Sequence, residues 1–387
     1  MKNMSLFSQI LLLIPKSLFK KLVKKHKAEY RSKGFGSWDQ LVAMLFCQFA
    51  QASSLREITH GLQSCEGKLS HLGIEPPSRS TLANANKVRS WKLYKELFDE
   101  LLKTVKSEFK SETRNFNFSH KLYSIDSSTI DLCLNVFSWA KYRTTKGAIK
   151  LHMRLDHDGY LPDFLLVTDG KTSDVTAAWE YPYDAGTISV FDRGYNDFKL
   201  FQHITDNGAF FVTRLKSNAK FKVVEEIAMP AKHDPDLISD SIIKLTGQGA
   251  DEMYTGNLRL ICSTDTEGRD IRFLTNNFEL DAETISNIYR ERWKIELFFK
   301  EIKQNLKVKT FVGTSENAVM IQIYTALITI LLLKFLKMKS TFKWSMSNLA
   351  ALIRMNLFTH KSLMEWINAP FLLQPSNETD DFAPETG

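Results

Sequence analysis

Over residues 1 to about 110, apolar positions recur at three- and four-residue intervals, which predicts helices throughout. Short helical patterns cover Ser54 to Ser64, Lys68 to Leu72 and Ser80 to Arg89. Gly73 and Pro76-Pro77 separate the last two, and Ser78 and Ser80 are suitable N-caps. Ser111 to Ser119 is polar and aromatic without helical period, and reads as a linker. The period then drops to two. Lys121 to Ile125, Ala148 to Asp156 and Tyr160 to Thr168 predict three strands, the last two joined by a turn at Asp158-Gly159. A short helix over Ser173 to Glu180, a strand over Thr187 to Phe191, a helix over Asn196 to Asn207 and a strand over Ala209 to Arg214 follow. Between about Leu215 and Leu280 the pattern is polar and β-rich, with strands expected over Phe221 to Ile227, Ile242 to Leu245, Asn257 to Ser263 and Ile271 to Thr275. Helical spacing returns from Asn287. Ala318 to Leu333 is the most apolar run, but it is shorter than a membrane span and carries Gln322, Thr325 and Thr329, so it reads as a buried helix. A further helix is expected over Trp344 to Met355, and the acidic tail from Pro375 to Gly387 is expected to be disordered.

Composition adds a bias in partner. The 387 residues are 43% hydrophobic and include 27 Phe, enough for real cores in two or three domains. A formal charge of +7 and a pI near 9.0 favour a polyanionic partner. Lys24 and Lys25 lie in the basic cluster Lys20 to Lys27, followed by Arg31 and Lys33, which suits phosphate contact or a solvated helix face. The three short helices after it allow a helix-turn-helix module, with Arg79, Asn84, Asn86, Lys87 and Arg89 toward DNA. Cys47, Cys65, Cys133 and Cys262 form no CxxC and are expected to stay reduced. The apolar stretch Ile10 to Ile14 is too short for a signal sequence, so a cytoplasmic protein is expected, with no membrane partner.

The densest chemistry lies near residue 290. Tyr289, Arg292, Glu296 and Lys303 read Y-x₂-R-x₃-E-x₆-K. At ~100° per residue they fall within an arc of ~60° on one helix face. Ile288, Ile295, Phe299, Ile302 and Leu306 form an apolar stripe beside them. A surface helix laced with ion pairs would share this outline, but one carboxylate among cations and a tyrosine also suits a metal-bound phosphodiester. Two further acids stand at predicted strand ends, Asp126 after Leu122-Tyr-Ser-Ile125 and Asp192 after Ile188-Ser-Val-Phe191. Three antiparallel strands followed by alternating helix and strand is the order of a ribonuclease-H-like domain, in which the first and fourth strands are neighbours. Asp126 and Asp192 would then lie side by side at the sheet edge where ligands bind. Two bare carboxylates in contact repel, and a divalent cation resolves the repulsion. Mg²⁺ or Mn²⁺ suits three such oxygen donors, and two ions would activate a water or a 3′ hydroxyl. Either aspartate alone could instead be a turn residue. Asp131, Asp156, Asp158, Asp163, Asp169 and Asp174 compete as ligands.

Ser124-Ile-Asp-Ser-Ser-Thr129, Val190-Phe-Asp-Arg-Gly-Tyr195 and the Y-x₂-R-x₃-E-x₆-K segment together resemble the bacterial insertion-sequence DDE transposases of the insertion sequence four family, defined by its YREK motif. Lys150-Leu-His-Met-Arg154, Leu161-Pro162, Thr168-Asp-Gly170 and Phe311-Val-Gly-Thr-Ser-Glu-Asn317 are similar to that family as well. The resemblance spans about Lys121 to Leu333, and its second acid gap accommodates the β insertion that the family carries.

The resemblance implies an α/β protein. Its ribonuclease-H-like core covers 120–335 with a β-rich subdomain inserted at about 215–280. A helical DNA-binding region (1–110) precedes it, and a helical C-terminal region (336–374) and tail (375–387) follow. It implies metal-dependent cleavage at terminal inverted repeats and strand transfer to target DNA. In that family the freed 3′ hydroxyl often first forms a hairpin on the opposite strand. Asp126, Asp192 and Glu296 would be both catalytic residues and ligands of two Mg²⁺ or Mn²⁺ ions. Arg292 and Lys303 would hold phosphates, with Arg193 nearby, and Tyr289 and Trp293 could contact the backbone or stack on a base. Trp293 could equally be a core residue. A homodimer in the DNA complex and association with the bacterial nucleoid are also implied. A metal-dependent nuclease without strand transfer, or a DNA-binding protein that has lost catalysis, would share much of this pattern.

Overall fold

The computed structural model describes residues 4–371 apart from 31, 33, 66–68, 70–71, 109–115, 117, 134–136, 138, 141–146, 248, 266 and 307–309. Arg31, Lys33, the acidic tail, most of the expected linker over Ser111 to Ser119 and most of the expected helix over Lys68 to Leu72 lie outside the described residues.

At the centre is a nine-stranded sheet. Its first five strands are β1 (Lys121–Leu132), β2 (Gly147–Asp156), β3 (Leu161–Asp169), β4 (Thr187–Val190) and β5 (Phe210–Arg214). The other four are β6 (Phe221–Glu226), β7 (Leu237–Leu245), β8 (Leu258–Thr264) and β9 (Asp270–Thr275). The order across the sheet is β3-β2-β1-β4-β5-β9-β8-β7-β6, so the first and fourth strands are neighbours as expected. The pairs β1/β4 and β4/β5 are parallel, and the others are antiparallel. The β-rich segment does not form a separate sheet, because β9 pairs with β5 and extends the central one. β7 is longer than the alternation predicted. Its extra residues include Asp240, a buried carboxylate held by the buried Arg259 at 2.6 and 2.9 Å. A charge inside a strand breaks the apolar pattern, and here its partner on β8 makes burial tolerable.

Successive side chains of a strand point to opposite faces. One face packs on α7 (Asp174–Ala178) and α8 (Phe198–Asp206), with Ile125, Phe191 and Phe211 meeting Ala178, Leu200 and Phe201. The other face takes α10 (Ala282–Glu291) through Leu122, Ile188 and Val190 against Ile285 and Ile288. α11 (Trp293–Asn305) continues along it, with Ile295, Phe298 and Ile302 in one cluster with Ile130, Met153 and Leu155.

That cluster also contains the helices from both chain ends. α1 (Leu6–Leu11), α2 (Lys16–Lys25), α3 (Ser37–Ala50), α4 (Leu55–Gln63), α5 (Arg79–Val88) and α6 (Lys92–Glu108) share it with α12 (Glu316–Lys339), α13 (Met346–Met355) and α14 (Leu363–Asn368). α12 is long and apolar enough to cross a membrane, yet it is largely buried inside this layer. Packing from all sides explains an apolar helix with no polar face. Its internal polar groups are used locally: the Gln322 side chain accepts from Val312 N–H at 2.9 Å and donates to the Thr310 carbonyl at 2.8 Å. The ends of the chain are tied directly, with the Leu6 and Phe7 amides donating to the carbonyls of Thr359 and Leu357. α4 ends at Gln63 and α5 begins at Arg79, and the middle helix of the expected helix-turn-helix lies mostly outside the described residues.

Candidate active site

β1 and β4 run in parallel register up to Ser124 opposite Val190. Two residues further along each chain stand Asp126 and Asp192, so the register sets them side by side. Period-two alternation puts both on the face that carries Leu122, Ile188 and Val190, beneath α10 and α11. β1 does not stop at Asp126 as its polar continuation suggested. It runs on beside β2, with Asp126 opposite the fully buried Met153, whereas β4 ends at Val190. The crevice therefore opens where one neighbour stops and the other continues. Asp192 caps a 3₁₀ turn over Arg193–Tyr195, its Oδ1 accepting from Gly194 N–H at 2.8 Å. A Cβ at Gly194 would sit 2.9 Å from that oxygen, so glycine permits the close approach.

The helix expected to carry Tyr289, Arg292, Glu296 and Lys303 is divided at Arg292. There the amides of Arg292 and Ile295 donate to the carbonyls of Tyr289 and Arg292, three residues back, at 3.1 and 3.2 Å. This tightened turn aims the Arg292 guanidinium at two acids: Nη2 lies 2.6 Å from Glu296 Oε1 and Nη1 lies 3.6 Å from Asp126 Oδ2. The Lys303 ammonium donates to the Thr129 carbonyl on β1 at 3.2 Å, which ties the far end of α11 to the same strand. Burial pushes the Asp126 carboxyl up to about 6. The Ser127 N–H and Arg292 oppose the shift, and the charges of Asp192 and Glu296 add to it. The Tyr289 ring lies 5.1 Å from Phe273 and 5.8 Å from the Arg292 guanidinium, and burial raises its hydroxyl pKa above the ordinary value. Trp293 is 56% exposed, which removes the core reading of that residue. It lines a cavity of about 470 Å³ with Tyr289, Arg292 and Phe273.

Among the described residues no three His, Cys, Asp or Glu side chains stand at metal-holding spacing. The donor chemistry nevertheless fits a hard divalent cation. Asp126, Asp192 and Glu296 offer only oxygens, and burial raises the Asp126 carboxyl, so a bound cation would favour its charged form. The competing aspartates are largely committed elsewhere. Asp156 and Asp163 are ion-paired to Lys106, and Arg154 also holds Asp163. Asp169 accepts from the amides of Lys171 and Thr172. Asp174 takes the Ser127 hydroxyl and the Lys150 ammonium.

The N-terminal candidates divide. Lys24, Arg79, Asn84 and Lys87 are exposed, and exposed Lys25 is engaged with Glu96 at 2.5 Å. Arg89 is buried, and its guanidinium donates to the carbonyls of Gly36 and Phe35, to Gln40 and to Ser32, so it holds the α2–α3 loop. Asn86 is buried and accepts from Gln40 at 2.8 Å. Helical spacing alone left the inward face of α5 undefined, because these polar residues are satisfied by partners far along the chain. Sequence reasoning also missed the exposed Tyr30, Thr81 and Val88, which line one groove of about 520 Å³ with Lys27 and Asn84. The first 91 residues carry 14 Lys and Arg against 5 Asp and Glu, an excess of nine where the whole chain has seven.

A family model described as a transposase DDE domain matches residues 117–332. A second, described as a domain of unknown function, matches residues 2–75. The curated sequence y4zB of Sinorhizobium fredii, named as a transposase, is 32% identical over 260 residues, 67% of this chain and 71% of that one. The transposase of insertion sequence element IS5377 from Geobacillus stearothermophilus is 30% identical, covering 62% and 63% of the two chains. That of element IS4SA from Synechocystis is 27% identical, covering 66% and 71%. Among solved structures, a piggyBac transposase synaptic complex with hairpin DNA aligns over 94% of this chain and 82% of that one, at 11% identity and a TM-score of 0.46. A family model covering more than half of the chain, together with relatives at this identity and coverage, establishes that the chain belongs to the DDE transposases of insertion sequences.

Proposed function

We propose that the protein binds the terminal inverted repeats of its own element, cleaves the DNA there and joins the freed 3′ ends to target DNA. The observation that carries this reading is the placement of Asp126 on β1 and of Asp192 just past the end of the parallel neighbour β4, under the helix of Glu296. We read the strand order β3-β2-β1-β4-β5, with only β2 reversed, as a ribonuclease-H-like core extended by β6–β9. Asp126, Asp192 and Glu296 are then the catalytic acids and would hold two Mg²⁺ or Mn²⁺ ions. Bound there, such ions supply Lewis-acid stabilisation of the phosphate and a more acidic attacking water.

The chain's own residues supply position and charge. In hydrolysis a water oxygen bonds to phosphorus, the bond to the 3′ oxygen breaks, and that oxygen leaves as a 3′ hydroxyl. In strand transfer this hydroxyl attacks a target phosphodiester in the same manner. Arg292 turns from its two carboxylates toward the phosphate, where a planar guanidinium can hold two oxygens. Lys303 fixes α11 against β1. Tyr289 and Trp293 present aromatic surface at the edge of the crevice, suited to DNA backbone or an unstacked base. Arg193, exposed beside Asp192, adds a phosphate contact. The N-terminal excess of positive charge suits duplex DNA, with Thr81, Asn84, Lys87 and Val88 of α5 as the base-facing set and Lys24 and Arg79 on phosphates. Two ends must meet, so a homodimer on DNA follows.

The test supplies full-length protein with Mg²⁺ and duplexes ending in the repeats that flank its gene. Cleavage at the repeat, followed by joining of precut ends to a plasmid, is expected. Cleavage without joining would leave a nuclease, and neither activity would sink the reading.

A further inference from the structure

The turn between β2 and β3 makes two separate attachments to the active site, and neither belongs to the acids or the YREK positions. In one, His157 Nε2 lies 2.7 Å from the hydroxyl of Ser124, a buried residue two positions before Asp126 on β1. The His157 amide also donates to the Leu122 carbonyl at 3.1 Å. In the other, the Tyr160 hydroxyl donates to Glu291 Oε2 at 3.3 Å, and the Lys294 ammonium stands 5.6 Å over the Tyr160 ring. Glu291 ends α10 and Lys294 lies in the first turn of α11, so Tyr160 touches both sides of the break at Arg292. The rings of His157 and Tyr160 are 5.4 Å apart, and His157 Nδ1 is 3.8 Å from the same Glu291 oxygen. Two attachments thus converge on one carboxylate.

The backbone gives independent support. Tyr160 has φ of +51°, a left-handed conformation in which a bulky side chain is strained, and it follows Gly159 at +81°. A glycine would relieve that strain. The surroundings hold the tyrosine in it, as structures do where a side chain must be aimed.

We propose that Tyr160 is a positioning residue: with His157 and Glu291 it clamps the α10–α11 break against β1 and thereby sets the reach of Arg292 over Asp126 and Glu296. The site otherwise relies on a helix discontinuity at the single residue Arg292, a natural place for play. Misplacing a catalytic group by about 1 Å can cost roughly 100-fold in rate. This inference rests on the catalytic reading of the acids, and its test separates the two.

The experiment compares wild-type protein with Tyr160→Gly and Tyr160→Phe. Single-turnover cleavage of end DNA in Mn²⁺ is measured alongside hydrogen exchange of the peptide spanning residues 286–298. The glycine variant removes the clamp and the core packing of the ring but also the strain, so it should melt within a few degrees of wild type. Its cleavage should still fall about 10- to 100-fold, with end binding within about twofold. Exchange at 286–298 should quicken while exchange in α12 does not change. Tyr160→Phe, which keeps the ring over Lys294, should fall between. In an Arg292→Lys background the Tyr160→Gly loss should shrink markedly, because the two act through one group. Wild-type rates in both variants with unchanged exchange would overturn the clamp, as would equal losses in both Arg292 backgrounds. Should Tyr160→Gly not fold, Tyr160→Phe with wild-type cleavage and exchange overturns it. Should wild-type protein fail to cleave, the functional reading fails, and the exchange comparison still decides the clamp.

Discussion

Replacing Asp126 by Asn should make the protein more stable while inactivating it. Asp126 has a side chain only 20% exposed, faces the fully buried Met153 and shares its crevice with two other acids. Its carboxyl is consequently raised from 3.8 to about 6, chiefly by burial. Because the folded state holds the proton more tightly than the unfolded chain, this group's contribution is fully present below pH 3.8 and is lost as pH rises through about 6. A rise from 3.8 to about 6 corresponds to about 3 kcal/mol at pH 7.5, falling to about 1 kcal/mol by pH 4.5. Asparagine is isosteric, can still accept from Ser127 N–H, and never ionises. For a chain of this length, about 3 kcal/mol is roughly a 4 °C rise in Tm. The assay is thermal melting in EDTA from pH 4.5 to 8. The gap between variant and wild type should open with rising pH, and millimolar Mg²⁺ should narrow it by stabilising only the wild type. Coincident melting at pH 7.5, or a gap that does not change with pH, would refute the account of a carboxylate held under strain for a cation.

Other consequences follow from the same geometry. Asp192→Ala and Glu296→Ala should each remove Mg²⁺-dependent cleavage in a gel assay while melting within a few degrees of wild type. Asn84→Ala with Lys87→Ala should weaken end binding, and the loss of one cation should reduce the salt slope by about one. Arg89→Ala should act quite differently, lowering stability by several kcal/mol because its buried guanidinium loses four hydrogen-bond partners, as urea titration would show. A fragment of residues 1–110 should fail to give a cooperative melt, because the core faces of α3 and α6 lose their cover by α12. Mixing an Asp192→Ala chain with a DNA-binding-defective chain that retains the acids should restore cleavage if each subunit cuts its partner's end, and the mixed complex should stay silent if it cuts its own.

Much of the site was legible in the sequence because its determinants are local and periodic. The placing of Asp126 and Asp192 after strand residues, the short strand Thr187–Val190 and the spacing of Tyr289, Arg292, Glu296 and Lys303 each depend on neighbours a few residues away. The type and rough position of β1 to β5, α8, α10, α11 and α12 followed from hydrophobic period alone. Tertiary contacts decided the rest. Whether Arg89 meets DNA or a loop depends on Gly36, Phe35 and Gln40, some fifty residues away, and no helical spacing encodes them. Trp293 could have been core or surface, and its 56% exposure is fixed by how α11 seats on β1. The break at Arg292 is invisible in a pattern that fits one continuous helix, since a single tightened turn barely disturbs the apolar stripe. The β-rich segment read as a separate unit because register between β9 and β5 is a pairing choice made only when the sheet assembles. Local periodicity thus specified which residues could meet in one crevice. Long-range burial and pairing specified which of them do, because only the folded core removes water from one face and leaves the other free.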